Sequence, residues 1–237
     1  MKLSQEEIIN LKRALDTCKI VNIDSAVISE DKIRGAAITK DVAIISPLKL
    51  DLGEMKLGVG RVAELKKRLE LYGVDANIEL ASNERGDVTQ VNISAGKSKI
   101  QFRCTGERQI RYPKSNEDQP FAVVSLSRDE VQQLSKAAKT LGAPSIVLHS
   151  TRGGEIRAEC AEESTNDKFA LELSTTAEFI ENTSSFVFTY KAANLIAALD
   201  ASNKDSDVQL TIGESGSITL PINGFTIMLM PQINGEE

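Results

Sequence analysis

The chain repeats itself, and this repeat limits what it can fold into more than any other feature. Leu3-Ser4-Gln5-Glu6-Glu7-Ile8-Ile9-Asn10-Leu11 returns 123 residues later as Leu126-Ser127-Arg128-Asp129-Glu130-Val131-Gln132-Gln133-Leu134. In both copies a serine is followed three residues on by glutamate. That is the pattern of a capping box, which satisfies two free backbone donors at a helix start. Apolar residues follow at helical spacing, Ile8, Leu11, Leu15 and Cys18 in one copy, Val131, Leu134, Ala138 and Leu141 in the other. A second pair lies 130 residues apart: Arg61-Val62-Ala63-Glu64-Leu65, running on to Leu69, and Lys191-Ala192-Ala193-Asn194-Leu195, running on to Leu199. Four helices are therefore predicted, at roughly 4–19, 60–72, 127–141 and 190–203.

Short segments rich in β-branched residues follow each helix. They are Ala36–Thr39 and Val42–Ile45; Asp75–Leu80, Val88–Ser94 and Lys99–Cys104; Ser145–Ser150, Glu155–Cys160 and Phe169–Leu173; Val208–Gly213, Ser217–Pro221 and Phe225–Met230. Gly86-Asp87, Ala95-Gly96-Lys97, Gly213–Gly216 and Asn223-Gly224 supply hairpin turns. The expected fold class is α+β: two similar domains, each of two helix-plus-strands units, with helices on one face of antiparallel sheets. The polar, proline-bracketed stretch that follows Gly106 reads as a linker. Domains are accordingly expected over 1–106 and 121–237, with the linker at 107–120.

Composition removes most chemistry. Three cysteines, Cys18, Cys104 and Cys160, stand far apart with no C-x-x-C pair, which suits free thiols in a reducing compartment. His149 is the only histidine, so multi-histidine zinc sites are excluded, and it sits in a strand-like run. Gly58-Val59-Gly60 is far too short for a phosphate loop, and no G-x-x-x-x-G-K-[ST] motif occurs. Asp205-Ser206-Asp207 reads as an acidic turn rather than a metal site, and the acids Glu159, Glu162 and Glu163 as solvated surface. The sequons at Asn92 and Asn182 have no bearing without secretion. No catalytic residue, metal or cofactor is expected. The opening Met1-Lys2-Leu3-Ser4, followed by acids, does not read as a signal peptide, and no apolar run approaches the roughly 18 residues of a membrane span. A non-enzymatic cytoplasmic protein without a membrane partner is the expectation.

The charge is unevenly divided. The chain carries −6 in all, but the four helical segments carry +3 and everything else −9. Arg13, Lys67 and Lys136 each stand five residues past a core position of their helix. Five residues turn about 500°, nearly opposite the buried face. The fourth helix has Ala197 at this place.

With these features the chain resembles the DNA sliding clamps, in the two-domain form of proliferating cell nuclear antigen and the clamps of T4-like bacteriophages. The likeness covers the whole chain through repeat layout and length. Its sharpest piece is the end Met228-Leu229-Met230-Pro231-Gln232-Ile233-Asn234-Gly235-Glu236-Glu237, similar to the antigen's tail except that Gln232 replaces a base and the acidic end is shorter. The resemblance implies a homotrimeric ring around duplex DNA, which tethers a replicative DNA polymerase and confers processivity, and which is opened by an ATP-dependent clamp loader. It implies a basic inner wall, for which Lys12, Arg13, Lys66, Lys67, Arg68, Lys136, Lys139 and Lys191 are the candidates, with Arg128 a weaker one. It implies a subunit seam at Ile100 and Phe102 on one side and Phe169, Leu171 and Leu173 on the other. It also implies a partner-peptide pocket at Ile38, Val42, Pro120, Met228, Met230 and Pro231. The compartment would be the host cytoplasm for a phage protein and the nucleus for a eukaryotic one. The alternative from the residues alone is a non-ring, β-rich interaction or structural adaptor with duplicated domains.

Overall fold

Ser4 and Ser127 both start helices, and both capping boxes form. In α1 (Gln5–Ile20) and α3 (Arg128–Thr140) the serine side chain accepts the N–H of Glu7 or Glu130, and that glutamate accepts the serine N–H at 2.7 Å. The computed structural model describes all residues except 30, 74–75, 114–117, 152, 163, 166, 181–184, 203–204 and 233–237. The chain divides into two units, Met1–Asn116 and Glu117–Glu237.

In the first unit, α1 leads into β1 (Ser25–Ser29), β2 (Lys32–Ala36), β3 (Val42–Pro47) and β4 (Leu57–Val59), which pair antiparallel in the order β3-β2-β1-β4. Next, α2 (Val62–Glu70) leads into β5 (Asn77–Ser82), β6 (Val88–Ala95) and β7 (Ser98–Arg103), paired β5-β6-β7. Residues 1–3 lie along β5, with Leu3 N–H donating to Ile78 O at 2.9 Å and Leu80 N–H to Met1 O at 2.7 Å.

The second unit repeats this plan. It runs β8 (Pro120–Leu126), α3, β9 (Ser145–Ser150), β10 (Glu155–Ala161), β11 (Lys168–Thr176), β12 (Glu178–Phe179), β13 (Val187–Lys191), α4 (Ala192–Ala201), β14 (Val208–Gly213), β15 (Ile218–Ile222) and β16 (Phe225–Leu229). Its sheets are ordered β11-β10-β9-β13 and β12-β8-β14-β15-β16. The correspondence extends to individual pairings. β4 pairs with β1 as β13 pairs with β9; residues 1–3 pair with β5 as β8 pairs with β14. In this unit α3 packs on β10 and β11, and α4 on β9 and β13.

Some expectations are corrected. Ala36–Thr39 is the end of β2 and a hairpin turn, not a strand: Ala37 N–H donates to Val42 O at 2.9 Å, Thr39 Oγ1 donates to Asp41, and Lys40 takes φ +62°. Tyr190 belongs to β13 rather than to a helix, and its buried O–H donates to Gly216 O at 2.7 Å. Gly58 and Gly60 are glycines for packing reasons, since a Cβ at either would run into Thr105. Asn223-Gly224 does form the β15–β16 turn, with both residues at positive φ, as a two-residue hairpin of this type requires.

The stretch read as a linker is fastened at both described ends. Glu107 binds Lys56 at 2.8 Å and accepts the Tyr112 hydroxyl at 2.5 Å, while Ile110 is buried in the first unit. In the second unit Asp118 accepts Ser215 N–H at 3.0 Å and the hydroxyls of Ser215 and Ser217. Among the described residues no helix is long and apolar enough to cross a membrane.

Candidate nucleic-acid interface

Each unit holds a packed pair of helices, and their cations fall into two groups. In the first unit α1 buries Ile8, Leu11, Ala14, Leu15 and Cys18, which leaves Arg13 exposed on the far side. Its neighbour Lys12 turns to the end of α2 and donates to Gly73 O. On α2, Lys66 is only 16% exposed and joins the helices, 2.8 Å from Asp16 of α1 and 2.6 Å from Glu70. The hydrogen bond from Lys66 holds the Glu70 carboxyl below its ordinary pKa. Arg68 lies 3.4 Å from Glu64, with its guanidinium 5.0 Å from the ring centre of Phe102. Lys67 is exposed.

The second unit sorts its cations the same way. Lys139 of α3 pairs with Asp200 of α4 at 2.8 Å, and Asp200 also accepts Ser135 Oγ at 3.3 Å. Lys139 stands where Asp16 stands in the first copy, so the helix seam is held by an ion pair of reversed polarity. Arg128 donates to Ser206 O at 2.8 Å, to Ser202 Oγ at 3.2 Å and to Leu199 O at 3.5 Å, and so binds the C-terminal end of α4. Such a cation meets the negative end of the helix dipole. Lys191 caps the start of α4 and is half-buried, and Ala193 and Ala197 leave that helix without a cation outside. Lys136 is exposed. Among the described residues, Lys67 and Lys136 pair with no acid. Of the eight predicted cations, then, only Arg13, Lys67, Lys136 and Lys139 are fully exposed, and Asp200 neutralises the last of these.

The predicted seam residues lie on sheet edges. β7 and β11 are each terminal strands of their sheets. Ile100, Phe169 and Leu171 are half-buried, Leu173 is buried, and Phe102 is wholly buried beneath Arg61 and Arg68, at 5.3 and 5.0 Å. The opposite edges of these two sheets are covered in part: β5 by residues 1–3, and β13 by Gln232 N–H donating to Thr189 O at 2.7 Å. The peptide-pocket candidates divide by burial. In the first unit Ile38 is 83% exposed at the β2–β3 turn, whereas Val42 is wholly buried. In the second, Pro120 is exposed, Met230 and Pro231 are half-buried, and Met228 is buried. Val42 and Met228 therefore present no side chain to a ligand; both faces of β3 and β16 are covered where they stand, as the runs of consecutive buried residues at 42–44 and 227–229 show.

His149 sits in β9, 3.5 Å from Glu159. No cluster of metal-ligating side chains occurs among the described residues. Glu163, Asn182 and residues 233–237 lie outside the described residues.

A likeness in three dimensions covers the whole chain. A chain in the structure of A. fulgidus PCNA with the C-terminal region of FEN-1 bound superposes with a TM-score of 0.64 at 16% identity, over 99% of this chain and 98% of that one. A chain of the PCNA2–PCNA3 complex from Sulfolobus tokodaii superposes with a TM-score of 0.62 at 15% identity, over 98% of both. The chain has the sliding-clamp fold. No protein-family model matches its sequence, and no curated protein matches it either. The clamp fold here is carried by patterning and pairing, with few shared residues.

Proposed function

We propose that the chain is a non-catalytic sliding clamp that closes as a homotrimer around duplex DNA and tethers a replicative polymerase. The observation that carries this reading is the sorting of cations on a clamp-fold chain. At equivalent places of α1, α2 and α3 an exposed cation faces away from the core, Arg13, Lys67 and Lys136, while Lys66, Lys139 and Arg128 turn to ties between the helices of their unit. Exposed cations without base-reading partners attract phosphates of any sequence, which suits a protein that must slide. Two domains per chain and heterologous edge-to-edge joining of β7 to β11 generate a ring when the rotation closes. A closed ring raises the effective concentration of a tethered enzyme at its template. The neighbours in fold include one PCNA with a FEN-1 segment bound and one PCNA2–PCNA3 complex, which supports partner binding and assembly as the working mode. For partner peptides, the accessible members of the assigned set are Ile38 in the first unit and Pro120, Met230 and Pro231 in the second. The ATP-dependent loader belongs to this reading as a separate protein.

The test is mass and topology. Sedimentation is expected to give three times 25.7 kDa. Once loaded, the protein should stay on nicked circular duplex and leave linear duplex through its ends. Equal retention on both forms, or a monomer throughout the working concentration range, overturns the proposal.

A further inference from the structure

Outside the helices the chain is acidic as a whole, but the charge is not evenly spread. From Asn83 to Arg111 six Lys and Arg stand against three acids, a net +3 inside a remainder of −9, and Lys32–Lys49 carries a like excess of four cations over one acid. The fold gathers much of this excess at one place in the first unit. A polar cleft of about 480 Å³ is lined by Arg61, Asn83, Thr89, Arg103 and Thr105. A second, of about 320 Å³, is lined by Lys56, Arg85 and Arg108 and shares Asp87, Gly106 and Gln109 with the first. Arg85, Arg103 and Arg108 are exposed, and among the described residues none lies within ion-pair distance of an acid. Two carboxylates line the clefts: Asp87, shared by both, and Glu107, which is already engaged by Lys56 and Tyr112 and held by them below its ordinary pKa. Three open guanidinium groups beside hydroxyls suit a carboxylate-bearing ligand, which they can grip in a two-pronged fashion.

The position of the cleft indicates which carboxylates. Arg103 is the last residue of β7, and Thr105 and Gly106 follow it. Cys104 N–H donates to Thr89 O on the inner side at 2.9 Å, so by alternation Lys99, Gln101 and Arg103 direct their backbone groups outward. At the other open edge, Glu162 N–H donates to Asp167 O at 2.9 Å, so Lys168, Ala170 and Glu172 direct theirs outward from β11. The two residues of that closing pair, Glu162 and Asp167, are both acids. The Glu162 carboxylate accepts the hydroxyls of Ser164 and Thr165 at 2.6 and 2.9 Å, while the nearby Arg157 is taken up by Glu159 at 2.9 Å. Every strand pair within each unit is antiparallel. An antiparallel join of β7 to β11 sets the end of the first strand against the start of the second.

We propose that the arginine cleft at the end of β7 receives the Glu162 and Asp167 carboxylates of a second copy of this chain, as an electrostatic latch that fixes the direction and register of the subunit seam. The latch rests on the ring reading above, and it makes that seam sensitive to salt as a purely apolar seam is not. Lys168 at the start of β11 opposes it in part, so the arginines have to outnumber that one cation, as they do.

The test compares self-association of the wild-type chain, Arg85→Glu/Arg103→Glu, Glu162→Arg/Asp167→Arg and the four-fold combination by sedimentation velocity, with circular dichroism to verify folding. Each charge-reversed pair is expected to weaken association about tenfold or more, and the combination to recover most of the loss. Arg85→Gln/Arg103→Gln, which leaves no reversed charge to disturb folding, should show a smaller loss in the same direction. If the wild type forms trimers and both pairs associate like it, or the combination is as weak as its parts together, the latch is wrong and the ring reading stands. If the wild type does not self-associate at all, both fall.

Discussion

Glu130 and Glu7 look interchangeable in the sequence, yet their surroundings separate them. Beyond its capping box each accepts one further backbone N–H, Glu130 that of Ser174 in β11 at 2.5 Å and Glu7 that of Asp51 at 3.1 Å, but Glu130 is buried at 6% exposure while Glu7 is only half-buried. Burial pushes the Glu130 carboxyl up, but the hydrogen bonds from Ser174 and Ser127 outweigh burial and hold it below the ordinary carboxylate value. A carboxylate whose folded pKa is lowered adds stability above its unfolded pKa and loses it as pH falls through the folded one. Glu130→Gln is therefore expected to cost about 1–3 kcal/mol at pH 7 and to flatten the acid limb of the stability profile. Glu7→Gln, in a more open box, should cost less. Urea unfolding at pH 7 and pH 3 checks both. The same scale separates Lys66 from Lys67. Lys66→Ala removes the tie between α1 and α2, at about 0.5–1 kcal/mol given how exposed its partners are, and should leave DNA retention unchanged. Lys67→Ala should do the reverse. Sequence shows both as helix cations; only the neighbouring helix, with Asp16, tells them apart.

At the scale of elements, helices are more legible than strands. Capping boxes and 3.6-residue spacing are local signals, and each of the four helices lies within two residues of its expected bounds. β1 escapes a reading by pattern because four of its five residues are buried, which removes the alternation that marks a half-exposed strand. β4 and β12 are too short to carry a period, and β12 is fixed only by its pairing to β8. The edges at β7 and β11 are expected only through family resemblance, since nothing within a strand says whether a neighbour will cover it. Proline gives a clean probe of such an edge where the backbone N–H points outward. Gln101 meets that condition, while Phe102 and Leu171 direct their N–H groups into their own ladders. Gln101→Pro is thus expected to keep the fold, judged by circular dichroism, and to lose the trimer, judged by light scattering. A trimer of undiminished stability would show that β7 is not the seam.

Across the whole molecule the informative quantity is where charge is left exposed to solvent. Sequence arithmetic locates a basic excess in the helices but credits eight residues with it, and the fold reduces the group: Lys66 and Lys139 are neutralised across helix pairs, Lys12 binds a carbonyl, and Arg68 stacks on Phe102. The arginine cleft is hidden in the sequence because its members come from four separate places in the chain, Lys56, Arg61, Arg85 and Arg103 to Arg108, and the net +3 over residues 83–111 is its only trace. These two basic regions have different predicted roles, and they can be told apart. The triple change of Arg13, Lys67 and Lys136 to Ala removes cations that face away from each helix core, so the oligomer should remain intact by sedimentation. If those residues face DNA in the ring, each subunit then neutralises up to three fewer phosphates. Counterion release makes the salt dependence of duplex binding shallower by about 0.9 for each phosphate no longer neutralised, whatever the sequence of the duplex. Polymerase extension on a primed circle should shorten in the same variant, and most at high salt, where screening has already weakened the attraction that remains. An intact trimer with an unaltered salt slope and full-length extension would mean that these three cations only solvate their helices, and the inner wall would have to be sought on other elements.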